Sequence, residues 1–552
     1  MALVERRIGL LFGVFLVLLA FGAARAGWLG LVRGPALKRA AATQQKSDVV
    51  VPARRGAITD RRGVELAVSQ PASTIAATPY LIKDAPKAAA QLAAVLDLPE
   101  DELLRKLARR DTGFVYLARK VPAAKARRAQ KLGLEGLEFI PEFRRVYPRD
   151  WMASQLLGAT GTDGQGLAGL EYALEDVVGG ANGERRLVKD ALGKPIEMRD
   201  VKRTEPGRSV RLTLDADIQD RAEEVLAEVG QQWRPKGATA LVMDPRDGSI
   251  LALANWPRVD ANAPGAAPDY AKQNRAVAST YEPGSTFKAF TVAGALQDRL
   301  VTPDTEFSLP PTIHVADREI RESHPRPWIT GTTSEILKIS SNIGAILIGQ
   351  RLHAKRFDYW VRRFGFGKPT GVDLPGEESG IVLPLSKYSG SSMGNLPIGQ
   401  GMAVTPIQMG AAYAAIANGG VLRPPHIVEA VGGVPRKIPR GKRILSEATS
   451  ASLRKMLEGV LGPGGTASGA AIKGYELAGK TGTAQKVDPR GGYSDSAYVA
   501  SFVGFAPANH PKLLVAVMVD EPQGDIYGGS VAAPAWKKIT SFALNYLQIA
   551  PD

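Results

Sequence analysis

Ser285 and Lys288 stand three residues apart in Tyr281-Glu-Pro-Gly-Ser-Thr-Phe-Lys288, just ahead of the apolar run Ala289-Phe-Thr-Val-Ala-Gly-Ala-Leu296. A helix opening at Ser285 places Lys288 one turn on, on the same face, where an amine reaches a hydroxyl. A buried lysine has a lowered pKa and serves as a base, and an alcohol beside a base becomes a nucleophile. The first N–H groups of such a helix favour negative charge at Ser285. Ser340-Ser-Asn342 adds a hydroxyl able to pass a proton between Lys288 and a leaving amine, and an amide able to hold both Lys288 and a substrate amide. Lys480-Thr-Gly-Thr483 adds a cation and hydroxyls suited to a terminal carboxylate, and Gly482, lacking a Cβ, lets a ligand's backbone lie against a strand. Ser285 is the candidate nucleophile, Lys288 its base and Ser340 a proton carrier. Asn342, Lys480, Thr481, Gly482 and Thr483 are candidate substrate-binding residues. Backbone N–H groups of Ser285 and Thr483 are candidates for an oxyanion hole. Taken singly, each stretch also reads as a helix cap with a surface lysine, a cap with a satisfied loop group, or a turn. Together they allow acyl transfer in two steps: an acyl-Ser285 forms as one amine leaves, and a second nucleophile takes the acyl group.

Elements must bring positions 285, 340 and 480 together. Ser209–Leu214 alternates like a strand, and Asp215-Ala-Asp217 opens a helix with Ile218, Ala222, Val225, Leu226 and Val229 inward. Ala238–Asp244 and Gly248–Ala254 read as strands joined by a turn. A largely helical middle follows, then strands over Glu476–Ala484, Ala500–Phe505 and Leu513–Val519, and a last helix over Ala535–Leu547. This order predicts an α+β domain whose antiparallel sheet is assembled from both ends of the segment. Upstream, Asp60-Arg-Arg-Gly63 reads as a hairpin turn. Helices are expected from Asp84, over Glu100–Arg110, over Ala123–Lys131 and over Glu171–Val178. Leu187–Asp190 with a turn at Gly193 reads as a hairpin, and a boundary falls near Arg203–Gly207. This upstream part carries no catalytic constellation; its expected role is spacing and partner contact.

With 552 residues, 44% apolar and 23% charged, the chain has the make-up of a folded protein of two to four domains. Cysteine is absent, which excludes disulfides, thiolate metal sites and cysteine nucleophiles. Five scattered histidines without His-Glu-x-x-His give no metal site, and no cofactor is expected. The net charge of +15 suits an anionic polymer or lipid surface, but no nucleic-acid recognition motif accompanies it. Ile8–Ala24 is an unbroken apolar run that Trp28 and Leu29 extend, read as an uncleaved membrane anchor, although Ala24-Arg-Ala26 also fits a signal-peptidase site. Basic residues flank the run on both sides, so charge does not settle its orientation. Residues 26–50 are expected to form a basic, partly helical connector.

The order Ser-x-x-Lys, Ser-x-Asn, Lys-Thr-Gly resembles the three-part signature of β-lactamases and penicillin-binding proteins. Further stretches are similar to class B penicillin-binding proteins: Arg55-Gly-Ala-Ile-Thr-Asp-Arg-Arg-Gly63, Arg145-Val-Tyr-Pro148, Gly169-Leu-Glu171, Met243-Asp-Pro245, Gly399–Gln408, Ser501–Pro507 and Tyr527–Pro534. The resemblance covers nearly the whole chain. It implies a penicillin-binding transpeptidase fold, an antiparallel sheet with a helical subdomain, on an elongated N-terminal pedestal with one transmembrane helix. The expected division is a cytoplasmic tail 1–7, an anchor 8–30, a dimerisation-type pedestal 31–205 and a transpeptidase domain 206–552. It also implies a peptidoglycan D,D-transpeptidase held in the cell membrane by a single pass, its catalytic domain extracytoplasmic. Such an enzyme takes a D-Ala-D-Ala donor, releases D-Ala, acylates a neighbouring stem's amine and is blocked by β-lactams. Glu282-Pro-Gly-Ser285 and the compact upstream part resemble the division-type (FtsI) branch, which implies septal synthesis beside a SEDS-family glycosyltransferase and divisome proteins. An elongation-type enzyme, a D,D-carboxypeptidase or β-lactamase of the same fold, and a non-catalytic division scaffold are the competing readings.

Overall fold

The computed structural model describes residues 2–32, 46–189, 195–438, 440–488 and 490–551. The chain forms two compact units that interleave along the sequence. One comprises Met1–Arg54, Ala72–Phe143 and Gly180–Gly207; the other comprises Arg55–Pro71, Arg144–Gly179 and Arg208–Asp552.

The first unit opens with the helix Ala2–Leu31, whose Arg6–Leu31 stretch contains an 18-residue window of mean hydropathy 2.2, none of it buried against the protein. Its 26 residues suffice to cross a hydrocarbon core about 30 Å thick. Much of the expected connector, residues 33–45, lies outside the described residues, and Lys46–Val51 is a strand rather than a helix. That strand pairs antiparallel with Gly183–Lys189, which pairs with Pro195–Lys202; the turn expected at Gly193 lies outside the described residues. Helices Ala85–Leu96, Glu100–Leu107 and Ala123–Gln130 stand close to their sequence positions. Asp84 caps the first by accepting from Lys87 N–H, and Leu92, Leu96, Leu103 and Leu107 pack with Ile75, Val115 and Leu117.

The second unit is built on a five-stranded antiparallel sheet in the order Ile250–Trp256, Gly237–Met243, Leu513–Asp520, Tyr493–Ala506, Ala478–Val487. Strands from both ends of the segment meet at the centre, as the pattern predicts. Both faces are covered, so the strands Gly237–Met243, Ile250–Trp256 and Leu513–Asp520 are almost wholly apolar rather than alternating. Ala240 and Val242 face helices Ala216–Trp233 and Gly528–Tyr546, whereas Leu241 and Met243 face Phe287, Phe290, Ile407 and Tyr413. The final helix begins at Gly528, earlier than expected. The middle is less helical than its sequence suggests: hairpins Glu306–Leu309/Ile329–Thr332 and Thr312–Val315/Arg318–Arg321 interrupt it. Four-residue strands are too short to display a period of two.

Segments 55–71 and 144–179 of the expected pedestal pack within this unit. Glu171, fully buried, accepts from Arg55 Nε and Nη2 at 3.0 and 2.8 Å and from Arg145 Nε at 2.6 Å. Arg55 also bonds Glu175 and the Gly164 carbonyl, and Arg145 the Gly56 carbonyl. Three of the upstream family-like stretches thus meet at one carboxylate. Glu171→Ala leaves two guanidinium groups, 7% and 3% exposed, without their shared counter-charge. It is expected to cost about 3–5 kcal/mol of unfolding free energy, read by denaturant titration. A loss under 1 kcal/mol would show that water replaces the carboxylate.

Candidate active site

Ser285 lies in a 3₁₀ turn, Gly284–Phe287, that feeds the α-helix Lys288–Gln297. The expected α-helical opening is therefore tighter, but residues i and i+3 eclipse in a 3₁₀ turn, so Ser285 and Lys288 still share a face. Lys288 N–H bonds the Ser285 carbonyl. Gly284 has φ +53° and sits against the edge strand; a Cβ there would lie 2.9 Å from the Thr483 carbonyl oxygen. Below the turn, Thr286 Oγ1 donates to the Pro283 carbonyl at 2.7 Å and Tyr413 Oη to that of Thr286 at 2.6 Å. Phe287 packs on Phe290 and Phe366 with ring centroids 5.4 and 5.3 Å away. The nucleophile candidate stands on a rigid aromatic base.

The second wall comes from the break between helices Thr333–Lys338 and Asn342–Arg363. Ser341, not Ser340, is the cap, accepting from Gly344 N–H at 2.9 Å. Ser340 takes the left-handed backbone, φ +59°, which a serine adopts only when its surroundings impose it. That twist turns both its carbonyl and its hydroxyl toward Lys288. Lys288 Nζ donates to the Ser340 carbonyl and Asn342 Oδ1, each at 2.7 Å, and lies 3.3 Å from Ser340 Oγ.

The edge strand Ala478–Val487 forms the third wall. Lys480, fully buried, donates to Ser340 Oγ at 2.9 Å and stands behind the wall rather than in the cleft. Thr481 and Thr483, one strand period apart, line the cleft; Thr483 Oγ1 accepts from Gly528 N–H at 3.1 Å. Gly482 points the other way. A Cβ on it would lie 2.4 Å from Ser501 Oγ, 2.9 Å from Thr286 Cγ2 and 3.1 Å from the Pro283 carbonyl oxygen. Its missing side chain makes room for the turn that carries Ser285, which corrects the expectation that it clears space for a ligand.

Ser285, Ser340, Asn342, Thr481 and Thr483 line one cleft of about 530 Å3, with Lys288 and Lys480 buried behind its lining. Three distant pieces of chain therefore converge. The direct Ser285–Lys288 hydrogen bond expected from the spacing is not formed; the amine is turned to Ser340 and Asn342. Burial, opposed by Glu322 and reinforced by Arg326, brings Lys288 down to about 7. Burial and the charge of Lys288 push Lys480 well below the ordinary lysine range. A neutral Lys288 has two N–H groups, which the Ser340 carbonyl and Asn342 Oδ1 satisfy, and one lone pair left to receive a proton. Ser340 Oγ lies between both amines.

Sequence reasoning passed over Glu322, which binds Ser341 and Asn342, and His324, whose ring lies 4.9 Å from that of Tyr527 at the cleft's lining. Both belong to a polar loop after a strand too short to recognise.

Residues 238–541 match the penicillin binding protein transpeptidase domain and residues 50–212 the penicillin-binding protein dimerisation domain. Among curated proteins, the chain is 33% identical over 553 residues to peptidoglycan D,D-transpeptidase FtsI of Escherichia coli K12, covering 99% of this chain and 92% of that protein. It is 34% identical over 507 residues to the probable peptidoglycan D,D-transpeptidase PenA of Neisseria meningitidis serogroup A, covering 91% and 86%. It is 35% identical over 560 residues to stage V sporulation protein D of Bacillus subtilis, covering 98% and 85%. Among solved structures, penicillin binding protein 3 of Mycobacterium tuberculosis complexed with aztreonam superposes with a TM-score of 0.72 at 30% identity, covering 91% of this chain and 98% of that one.

Proposed function

The chain belongs to the class B penicillin-binding proteins, and we propose that it cross-links peptidoglycan stem peptides through an acyl-Ser285 intermediate. The supporting observation is the single cleft on which Ser285, Ser340, Asn342, Thr481 and Thr483 open above a buried, proton-poor Lys288. In this reading Ser285 Oγ adds to the donor's penultimate D-Ala carbonyl while its proton passes to Lys288. The N–H groups of Ser285 and Thr483 hold the oxyanion. Ser340 returns the proton to the amine of the departing terminal D-Ala. A second stem's amine then attacks the ester, giving up a proton as Ser285 regains one. Thr481 and Thr483 receive the donor's terminal carboxylate, while Lys480 holds the Ser340 hydroxyl from behind. Asn342 aligns the donor amide. A β-lactam presents a strained amide to the same serine.

Residues 1–7, 8–30, 31–205 and 206–552 then serve as cytoplasmic tail, membrane anchor, pedestal and catalytic domain, the last outside the membrane beside its substrate. The Glu282-Pro-Gly-Ser285 stretch favours a division role, with a SEDS-family glycosyltransferase and divisome proteins as partners.

The test is mass spectrometry of the intact protein and its peptides during incubation with benzylpenicillin. The expected result is a long-lived adduct on the peptide containing Ser285. An adduct elsewhere, or none, overturns the reading, and rapid loss with β-lactam turnover assigns the fold to hydrolysis instead.

The pH dependence follows from Lys288. Only its neutral form accepts the serine proton, so acylation is expected to rise with pH along a limb centred near 7 and to level above it. Rates of fluorescent-penicillin labelling between pH 5.5 and 9 measure it; a flat profile would exclude Lys288 as the base.

A further inference from the structure

Glu322 follows the strand Arg318–Arg321 and is 3% exposed at its side chain. Its Oε1 accepts the Ser341 hydroxyl proton at 2.5 Å and its Oε2 the Asn342 N–H at 2.6 Å. Arg326 forms an ion pair with it. The Arg321 carbonyl accepts from Asn342 Nδ2 at 3.0 Å, so the amide's oxygen is the atom left for Lys288. A plain helix start would not need this carboxylate, because Ser341 already caps Gly344 N–H. The carboxylate does more: it holds the two residues that follow Ser340, whose φ of +59° relaxes unless the surroundings enforce it. The helix's N-terminal N–H groups and positive dipole end favour an anion at this spot.

We propose that Glu322 is a positioning residue of this centre, clamping the Ser340–Asn342 turn so that the Ser340 carbonyl, the Ser340 hydroxyl and Asn342 Oδ1 all face the Lys288 amine. The proposal rests on the acyl-serine reading above and adds the group that keeps its proton carrier in place. The titratable and charged groups facing Lys288 are Glu322, Arg326 and, through Ser340, Lys480. Glu322 favours the ammonium form and Arg326 opposes it, so the two substitutions act in opposite senses.

The experiment compares full-length parent, Glu322→Gln, Glu322→Asp and Arg326→Gln proteins by fluorescent-penicillin labelling across pH and by melting curves across pH. Glu322→Gln is expected to acylate about 10- to 100-fold more slowly, the scale of a misplaced catalytic group, with its limb displaced to lower pH. Glu322→Asp is expected to keep the parent limb and recover part of the rate. Arg326→Gln is expected to move the limb to higher pH. A Glu322→Gln protein that labels at the parent rate, or more slowly on an unmoved limb, overturns the proposal. If that variant does not fold, an unmoved limb in Arg326→Gln overturns it equally. Absence of label on the parent would instead defeat the acyl-serine reading. The pH dependence of melting, which needs no reaction, would then still decide whether Glu322 biases Lys288.

Discussion

A Ser285→Ala protein is expected to take up no covalent penicillin and to lose transpeptidation by about 10⁶-fold, the scale on which removal of a catalytic serine is felt. The reason is positional. Other hydroxyls line the cleft, among them Ser340, Thr481 and Thr483, but each is engaged. Ser340 Oγ accepts from Lys480, Thr481 Oγ1 pairs with Thr466 and Thr483 Oγ1 accepts from Gly528. Ser285 alone among these rides on the 3₁₀ turn one step before the buried amine, with the positive end of a helix behind it. The turn is held by hydroxyl bonds from Thr286 and Tyr413 and by Phe287, none of which uses the Ser285 hydroxyl, so the melting temperature is expected to stay within a few degrees of the parent's. Intact-mass measurement after penicillin exposure reads the outcome directly. Residual adduct on the alanine protein would move the nucleophile elsewhere.

Lys288→Gln separates the base from the scaffold. Glutamine keeps an N–H donor for the Ser340 carbonyl or Asn342 Oδ1 but cannot receive a proton. Acylation is expected to fall about 10²- to 10⁴-fold, the range supplied by general acid–base catalysis, and what remains should lose the limb near pH 7. Stability should move the other way. The folded-state value near 7 lies below the usual lysine value of 10.5, so between these pH values the unfolded chain binds the extra proton. Lys288 therefore makes the parent less stable as pH falls from 10.5 to 7, and the variant escapes that loss. Calorimetry at pH 7 is expected to find Lys288→Gln melting at or above the parent temperature. A slower and clearly less stable variant would mean that the amine is structural.

The three motifs were legible because their chemistry demands particular residue types at short spacings. The apolar N-terminal helix was legible because a run of that length and composition can cross lipid. Three strands of the sheet, Gly237–Met243, Ile250–Trp256 and Leu513–Asp520, were legible because burial on both faces leaves near-continuous apolar runs. Three features were not. Glu322 reaches the centre from a loop whose sequence, Glu322-Ser-His-Pro-Arg326, has no period to read. Gly482 looked like an opening for substrate, and only the opposing Ser501 and Thr286 reveal which side its missing Cβ serves. Residues 55–71 and 144–179 read as parts of one contiguous upstream block, whereas their contacts, led by Arg55, Arg145 and Glu171, lie with the sheet-bearing unit.

By itself, then, the order of residues determined which groups can react, roughly where the long helices and the apolar strands of the sheet run, and which stretch can enter a membrane. These are local properties, decided within a turn or two of chain. Folding alone decided that Lys288 turns to Ser340 and Asn342 instead of Ser285, that Lys480 sits behind the cleft, and that Glu322 bonds the Ser341 hydroxyl and the Asn342 N–H. Those outcomes depend on burial and on partners 20 to 140 positions away, and electrostatic effects of that kind appear only when water is excluded from around the charges.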